Sequence, residues 1–540
     1  MALDTLGGAT RRAVLASVAM AAAAGASRAL ALPLTSGGGG EAPVAQTGYG
    51  AVRGEMNDGV CVFRGIPYGA PTGGDARFVA PEPPKPWGGV RESTHFGDQC
   101  PQAAETLPPQ WSSWAVKSGE SEDCLALNVW TPAVGDGGKR AVMVWLHGGG
   151  FSTKSGSYGF NDGVRLCQRG DVVVVSLNHR LNLFGYLYLA DLGGAAFADS
   201  GAIGQLDIIA ALQWIQANIA AFGGDPGRVM IFGESGGAWK VATLMAMPAA
   251  KGLFHRAAIQ SGPFLTAVKP DDATAAAKAV LAALGVSPNR PGDLRHAPVD
   301  RLVAAAAAVA KDNPTAFGPV VDGKNLPRDP FSPDAPAVSA DAPLIIGYNA
   351  TETTVLAPLP EGDSLDWVGL TARLASAAPG KDSGALIDSY RRRFPDKSPD
   401  DLYYIITTES GLGAATIALA ERKSALGAAP AYLYRLEMET PVGRLRSPHG
   451  LDLPLVFDTV GRSESMLGPA NRDAQMVADQ MASAWIAFAR TGSPNAAGLA
   501  SWPRYDVRAR STMLFNVVSR AVNDPYGEQR KLIASLGPTV

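Results

Sequence analysis

From Arg228 to Gly237 the chain reads RVMIFGESGG. The four residues Val229 to Phe232 carry no polar side chain, so neither face of this stretch can meet water. A short continuous apolar run of this kind forms a strand covered on both sides, as in a parallel sheet. It ends in glycines spaced around one serine, and a helix-forming run follows. Glycines there permit a backbone turn and a close approach that larger residues forbid. This one stretch therefore predicts a buried parallel strand, an abrupt turn and a helix packed back on the sheet.

The same grammar recurs. AVMVWL (141–146) and DVVVVSL (171–177) are further buried runs, and RAAIQS, PLIIGY and AYLYRLE repeat the signal later. Between Gly204 and Phe222 the period changes: Ile208, Leu212, Ile215 and Ile219 lie 4, 3 and 4 apart, one face of a helix that GGDPG then stops. Strands alternating with helices predict an α/β protein, with a large mostly parallel central sheet and helices on both faces. Ala- and Pro-rich stretches at 271–316 and 364–426 predict helical insertions that cap it. A helix over 473–490 and a strand near 513–517 close the pattern.

The N-terminus follows other rules. Thr10-Arg11-Arg12 precede an apolar stretch from Ala13 to Ala26, and Ala29-Leu30-Ala31 offers a small-x-small cleavage pattern. Residues 1–31 read as a twin-arginine-type signal peptide, 32–42 as a flexible leader and 43–540 as the folded domain. This predicts an exported protein, periplasmic or secreted, with no stable membrane insertion once the signal is cleaved. The net charge is −3 and no basic block appears, so no nucleic-acid partner is expected. No CxxC or HExxH pattern is present, which predicts no metal site.

The chemistry centres on Gly233-Glu234-Ser235-Gly236-Gly237. A G-x-S-x-G pattern between a strand and a helix projects the serine hydroxyl above the sheet, as a nucleophile at a helix N-terminus. The Gly236 N–H there favours a developing negative charge. An earlier strand ends in His147-Gly148-Gly149-Gly150-Phe151. Its bare glycines are the further donors that an oxyanion needs, and Phe151 is placed to line the acyl side. A serine also needs a base. Of the six histidines, His449 lies on a loop after a strand and late in the chain, which suits the order serine, acid, histidine. For the acid, Glu352 follows the strand PLIIGY, Asp322 in GPVVDG rivals it, and Asp452 breaks the order. The local sequence leaves Glu352 and Asp322 both open.

Four cysteines allow three pairings. Cys61 and Cys167 lie among apolar neighbours and read as buried thiols, whereas Cys100 and Cys124 lie in polar surroundings.

FRGIPYG, RFVAPEPPKPW, SEDCLALNVWTP, VWLHGGGF, FGGDPGRVMIFGESGGA, GLFHRAAIQSG, GPVVDG and HGLDLPLVF occur in one order. Together they resemble the type B carboxylesterases, the cholinesterase-like branch of the α/β hydrolases, from about Pro43 to Asn516. The resemblance implies the α/β-hydrolase fold and a serine carboxylesterase acting on a small-molecule ester, of small or aryl type, without a cofactor. It implies Ser235 as nucleophile, Glu352 as acid, His449 as base and Gly149, Gly150 and Gly236 as oxyanion donors. It further implies Glu234 as a carboxylate beside the nucleophile, Ser261 as a buried serine near the site and a Cys100–Cys124 disulfide. Ion pairs Glu122–Arg77 and Asp225–Arg180 also follow from it. Two positions depart from the pattern: Gly236 stands where alanine is common, and Thr353 where glycine is usual after the acid. Alternatives on the same fold are an amidase or carbamate hydrolase, a lipase, or a binding protein without catalysis. The complete serine, glutamate and histidine set speaks against the last.

Overall fold

Buried apolar runs pair with one another because each must satisfy its backbone groups away from water. In a computed structural model, which describes residues 42–536 apart from 105, 106, 117, 361 and 378–381, they build one large sheet. The signal-peptide reading of residues 1–31 and nearly all of the leader lie outside the described residues.

In chain order the strands of this sheet are β1 (Glu55–Asn57), β2 (Val60–Pro67), β3 (Ala126–Thr131), β4 (Arg140–Leu146), β5 (Val173–Leu177) and β6 (Gly224–Glu234). They continue as β7 (Arg256–Gln260), β8 (Leu344–Asn349), β9 (Ala431–Leu436), β10 (Ser511–Phe515) and β11 (Arg520–Asn523). Their order across the sheet is β11-β10-β9-β8-β7-β6-β4-β5-β3-β2-β1. From β5 to β10 every neighbouring pair is parallel, while β11 and the β3-β2-β1 side are antiparallel. A small three-stranded sheet forms from Val44–Thr47, Gly50–Arg53 and Val90–Glu92. The exposed edge strand β11 and the helix Gly527–Ser535 were not legible in the sequence, because β11 has no buried residue to set a period.

Side-chain alternation on each strand splits the core into two layers. On β4, Val142, Val144 and Leu146 join one layer, and Ala141, Met143 and Trp145 the other. The first layer is closed by α1 (Ile203–Asn218) and α2 (Gly236–Ala246), the second by α3 (Arg472–Thr491). The 364–426 insertion has a small core of its own, with Leu370, Leu386, Tyr390, Leu402 and Ile406. Among the described residues no single helix is long and apolar enough to cross a membrane.

Two expectations need correction. The Cys100–Cys124 bond is not formed: all four cysteines are free, and both of this pair are buried. Cys100 Sγ accepts the Leu181 N–H at 3.3 Å. The Cys124 thiol donates to Cys100, and this contact, then burial, hold it well above its ordinary range. Arg180 pairs with Asp207 of α1, not with Asp225. Its Nη2 and Nε reach the two carboxylate oxygens at 2.6 and 2.9 Å. Asp225 instead accepts the Gly227 N–H in a turn. The Arg77–Glu122 pair is present, at 2.6 and 2.7 Å.

Candidate active site

In a parallel sheet all strand ends of one polarity share an edge, and loops leaving them converge there. The loops after β4, β6, β8 and β9 carry the glycine run, Ser235, Glu352 and His449. Ser235 sits between β6 and α2 at φ 55° and ψ −123°, a conformation that costs energy for a residue with a side chain. Packing explains how it is held. A Cβ on Gly237 would lie 2.0 Å from Leu146 O, so α2 can start this close to β4 only with glycine there. The Ser235 N–H is anchored on Gln260 O at 2.9 Å.

The loop after β4 turns through Gly149 at φ 81° and Gly150 at φ 61°. Gly150 lies so near Gly236 that a Cβ on the latter would meet its backbone at 2.2–2.4 Å. Among the described residues the N–H groups of Gly149, Gly150 and Gly236 have no acceptor. Three unpaired donors thus gather beside Ser235. Phe151 follows, buried, with Tyr186, Trp239 and Phe264 around it at ring distances of 5.0, 5.7 and 5.6 Å.

His449 and Glu352 come together although they are far apart in the chain. The loops after β8 and β9 are tied by Thr351 N to Ser447 O at 3.0 Å and Asn349 Nδ2 to Pro448 O at 2.8 Å. His449 Nδ1 donates to Glu352 Oε2 at 2.6 Å, and Glu352 Oε1 accepts the Asn349 N–H at 2.7 Å. Thr353, the residue that departs from the family pattern, fits without disturbing this. Its hydroxyl reaches Thr407 Oγ1 at 2.8 Å. Asp322 is elsewhere, its Oδ1 accepting the N–H groups of Lys324, Asn325 and Leu326. Asp452 is buried and held by Gln260 and Tyr434. Of the three carboxylates weighed as the acid, only Glu352 touches His449.

The opposite edge of the imidazole holds Glu234, which the resemblance set beside the nucleophile without placing it against the histidine. Glu234 Oε1 stands 3.1 Å from His449 Nε2. Burial alone would lower the His449 pKa, but Glu234 and then Glu352 outweigh it and push it up to about 9. Burial pushes Glu234 up to about 7, against the pull of His449. Ser235 Oγ makes no hydrogen bond among the described residues. Ser261 is also buried, at φ 50°. Trp111 lies 6.4 Å from the His449 ring, with the Lys154 ammonium 3.9 Å over its own ring. Trp239 and Lys240 lie two and three residues past the serine motif, which was the available signal for them. Trp111, in the short Pro- and Ser-containing 3-10 helix Pro109–Trp114, offered none.

Comparison with known proteins agrees with this edge. The model of the carboxylesterase family matches residues 41–531. The chain is 35% identical over 502 residues to the para-nitrobenzyl esterase of Bacillus subtilis, covering 92% of this chain and 99% of that one. It is 33% identical to a phenmedipham hydrolase of Pseudarthrobacter oxydans, covering 86% and 93%. The crystal structure of the carboxylesterase EST55 of Geobacillus stearothermophilus superposes with a TM-score of 0.79 at 37% identity, over 91% of this chain and 99% of that one. With the α/β-hydrolase sheet, the serine turn and the converging loops in place, the chain belongs to the carboxylesterase family and is a carboxylic ester hydrolase.

Proposed function

We propose that the chain hydrolyses esters through Ser235, His449 and Glu352 by way of an acyl-enzyme. The observation that carries this reading is the 2.6 Å contact between His449 and Glu352 at the same sheet edge as the strained Ser235. Ser235 Oγ attacks the ester carbonyl carbon while its proton passes to His449 Nε2. The carbonyl oxygen becomes an oxyanion facing Gly149, Gly150 and Gly236, where one such donor is worth about 3 kcal/mol. Collapse breaks the bond to the alcohol oxygen, which takes the proton from Nε2. Water then gives a proton to Nε2 and its oxygen attacks the acyl carbon; the second collapse returns the proton to Ser235. Glu352 keeps Nδ1 protonated throughout and stabilises the imidazolium.

Small or aryl esters are the substrate class we infer. The aromatic wall of Phe151, Tyr186, Trp239 and Phe264 supports it, as does the name para-nitrobenzyl esterase carried by a relative. Export by the twin-arginine route rests on Thr10-Arg11-Arg12 and the apolar stretch after them. N-terminal sequencing of protein recovered outside the cytoplasm tests it, and an intact Met1 there counts against cleavage.

Ser235→Ala should abolish ester hydrolysis while the fold persists. A fluorophosphonate should label the wild type at Ser235, read by peptide mass spectrometry. Labelling of a different serine, or residual turnover near wild type in the variant, would refute the assignment.

A further inference from the structure

Lys240 lies one helical turn beyond Gly237, on the face of α2 that packs against the glycine loop. Its side chain is wholly buried, at 0% exposure, and no carboxylate pairs with it among the described residues. Nζ donates to the carbonyl of His147 at 2.8 Å and is the only donor to that oxygen among the described residues. The surroundings offer no counter-charge. The rings of His147 and His179 stack at 5.0 Å, and the Phe151 ring lies 6.0 Å from Nζ. Burial, then Lys154, hold the Lys240 ammonium well below its ordinary range, and burial, then Lys240, do the same to both histidines.

An amine in such a place is costly, since a methionine of similar length would fill the space without losing hydration. The carbonyl it meets is informative. His147 C=O and Gly148 N–H belong to one rigid plane, the first of the glycine run. Three glycines have no side chains with which to hold their own orientation, and each is free to rotate. The loop must therefore be held from outside. Ser152 and Thr153 hold Gly149 O, both at 3.1 Å, and Gly236 presses on Gly150. At its start there are two holds: His147 Nδ1 on Gly148 O at 2.9 Å, and Lys240 Nζ on the His147 carbonyl, the one that comes from outside the loop.

We propose that Lys240 is a positioning residue for the oxyanion donors: its Nζ fixes the His147 peptide and so aims the glycine loop that follows. It touches no substrate and acts through the loop. The inference rests on the reading of Gly149 and Gly150 as oxyanion donors.

Lys240→Met keeps the length and removes the donor. The variant should fold with a melting temperature equal to or above that of the wild type, because a buried polar group is gone. Its kcat should fall by about 10- to 100-fold while KM moves by less than about threefold, as expected when donors are misplaced rather than binding lost. A boronic acid that mimics the tetrahedral intermediate should bind more weakly by the same factor as kcat/KM. A kcat within about twofold of wild type, or equal losses in kcat and in substrate binding, would overturn the proposal. If Lys240→Met does not fold, Lys240→Gln decides, since its amide retains an N–H. Recovery of kcat to within about threefold of wild type supports the tie, and a folded Gln variant with a loss above about tenfold refutes it. Fluorophosphonate labelling separates the two levels: an unlabelled Ser235 in wild type defeats the underlying reading. Normal labelling with an unaffected Met variant defeats only the role of Lys240.

Discussion

In the proposed mechanism Nε2 of His449 must be unprotonated to accept the Ser235 proton, yet it faces Glu234 at 3.1 Å, and Nδ1 faces Glu352 at 2.6 Å. Two carboxylates favour the imidazolium, which is why the ring is pushed up to about 9. The protonated ring is inactive as a base, so kcat/KM should rise with pH and its acid limb should lie well above the ordinary histidine range. Removing one carboxylate favours the neutral ring. Glu234→Gln should therefore move that limb to lower pH by about 1–3 pH units, the usual effect of one neighbouring charge. Profiles of kcat/KM against pH for the two proteins measure it directly; coincident limbs would mean that Glu234 does not govern the proton on Nε2. Glu352 cannot serve the same experiment, because it also holds the ring in place.

At the level of elements, the decisive contact is between the turn into α2 and the loop after β4. Gly236 and Gly150 touch backbone to backbone, and a Cβ at 236 would come within 2.2 Å of Gly150 O. Neither partner is a flexible side-chain end, so the loop itself must retreat. Gly236→Ala, the smallest possible change, should displace the Gly149 and Gly150 donors and lower kcat by about 10²-fold or more, the scale of losing one oxyanion donor. Single-turnover acylation of Ser235 isolates the step. Acylation at the wild-type rate would show that the loop accommodates the methyl group without moving its donors.

Across the whole molecule, Arg180 joins parts of the chain that lie far apart. It pairs with Asp207 on α1 and also donates to Val79 O at 2.9 Å. Both side chains are almost fully buried, at 2% and 0% exposure. Such a pair adds little over an apolar substitute, but losing one member strands the other charge away from water. Asp207→Ala should cost about 3–5 kcal/mol. The urea midpoint should fall with the slope unchanged, and a loss below about 1 kcal/mol would mean that water reaches the guanidinium after all.

The strands β4 to β10, the helix α1, the serine turn and the glycine run could be read directly from residues near one another in the chain. Burial of RVMIF and the space that Gly233 and Gly237 leave free are local matters of size and hydration, so a few neighbours are enough to specify them. His449 was reachable too, from chain order and a short supply of histidines. The choice of Glu352 over Asp322 was not, because both follow apolar strand-like sequence. What separates them is that β8 and β9 are parallel neighbours, which brings the Glu352 and His449 loops to one edge and zips them together. For the same reason Asp207 displaced Asp225 as the partner of Arg180, and the contact of Lys240 with His147 cannot be read from the sequence of α2 alone. A charge or a hydrogen bond is settled by whichever group lies within about 3 Å, and across such distances in the chain only the order of strands in the sheet determines which group that is.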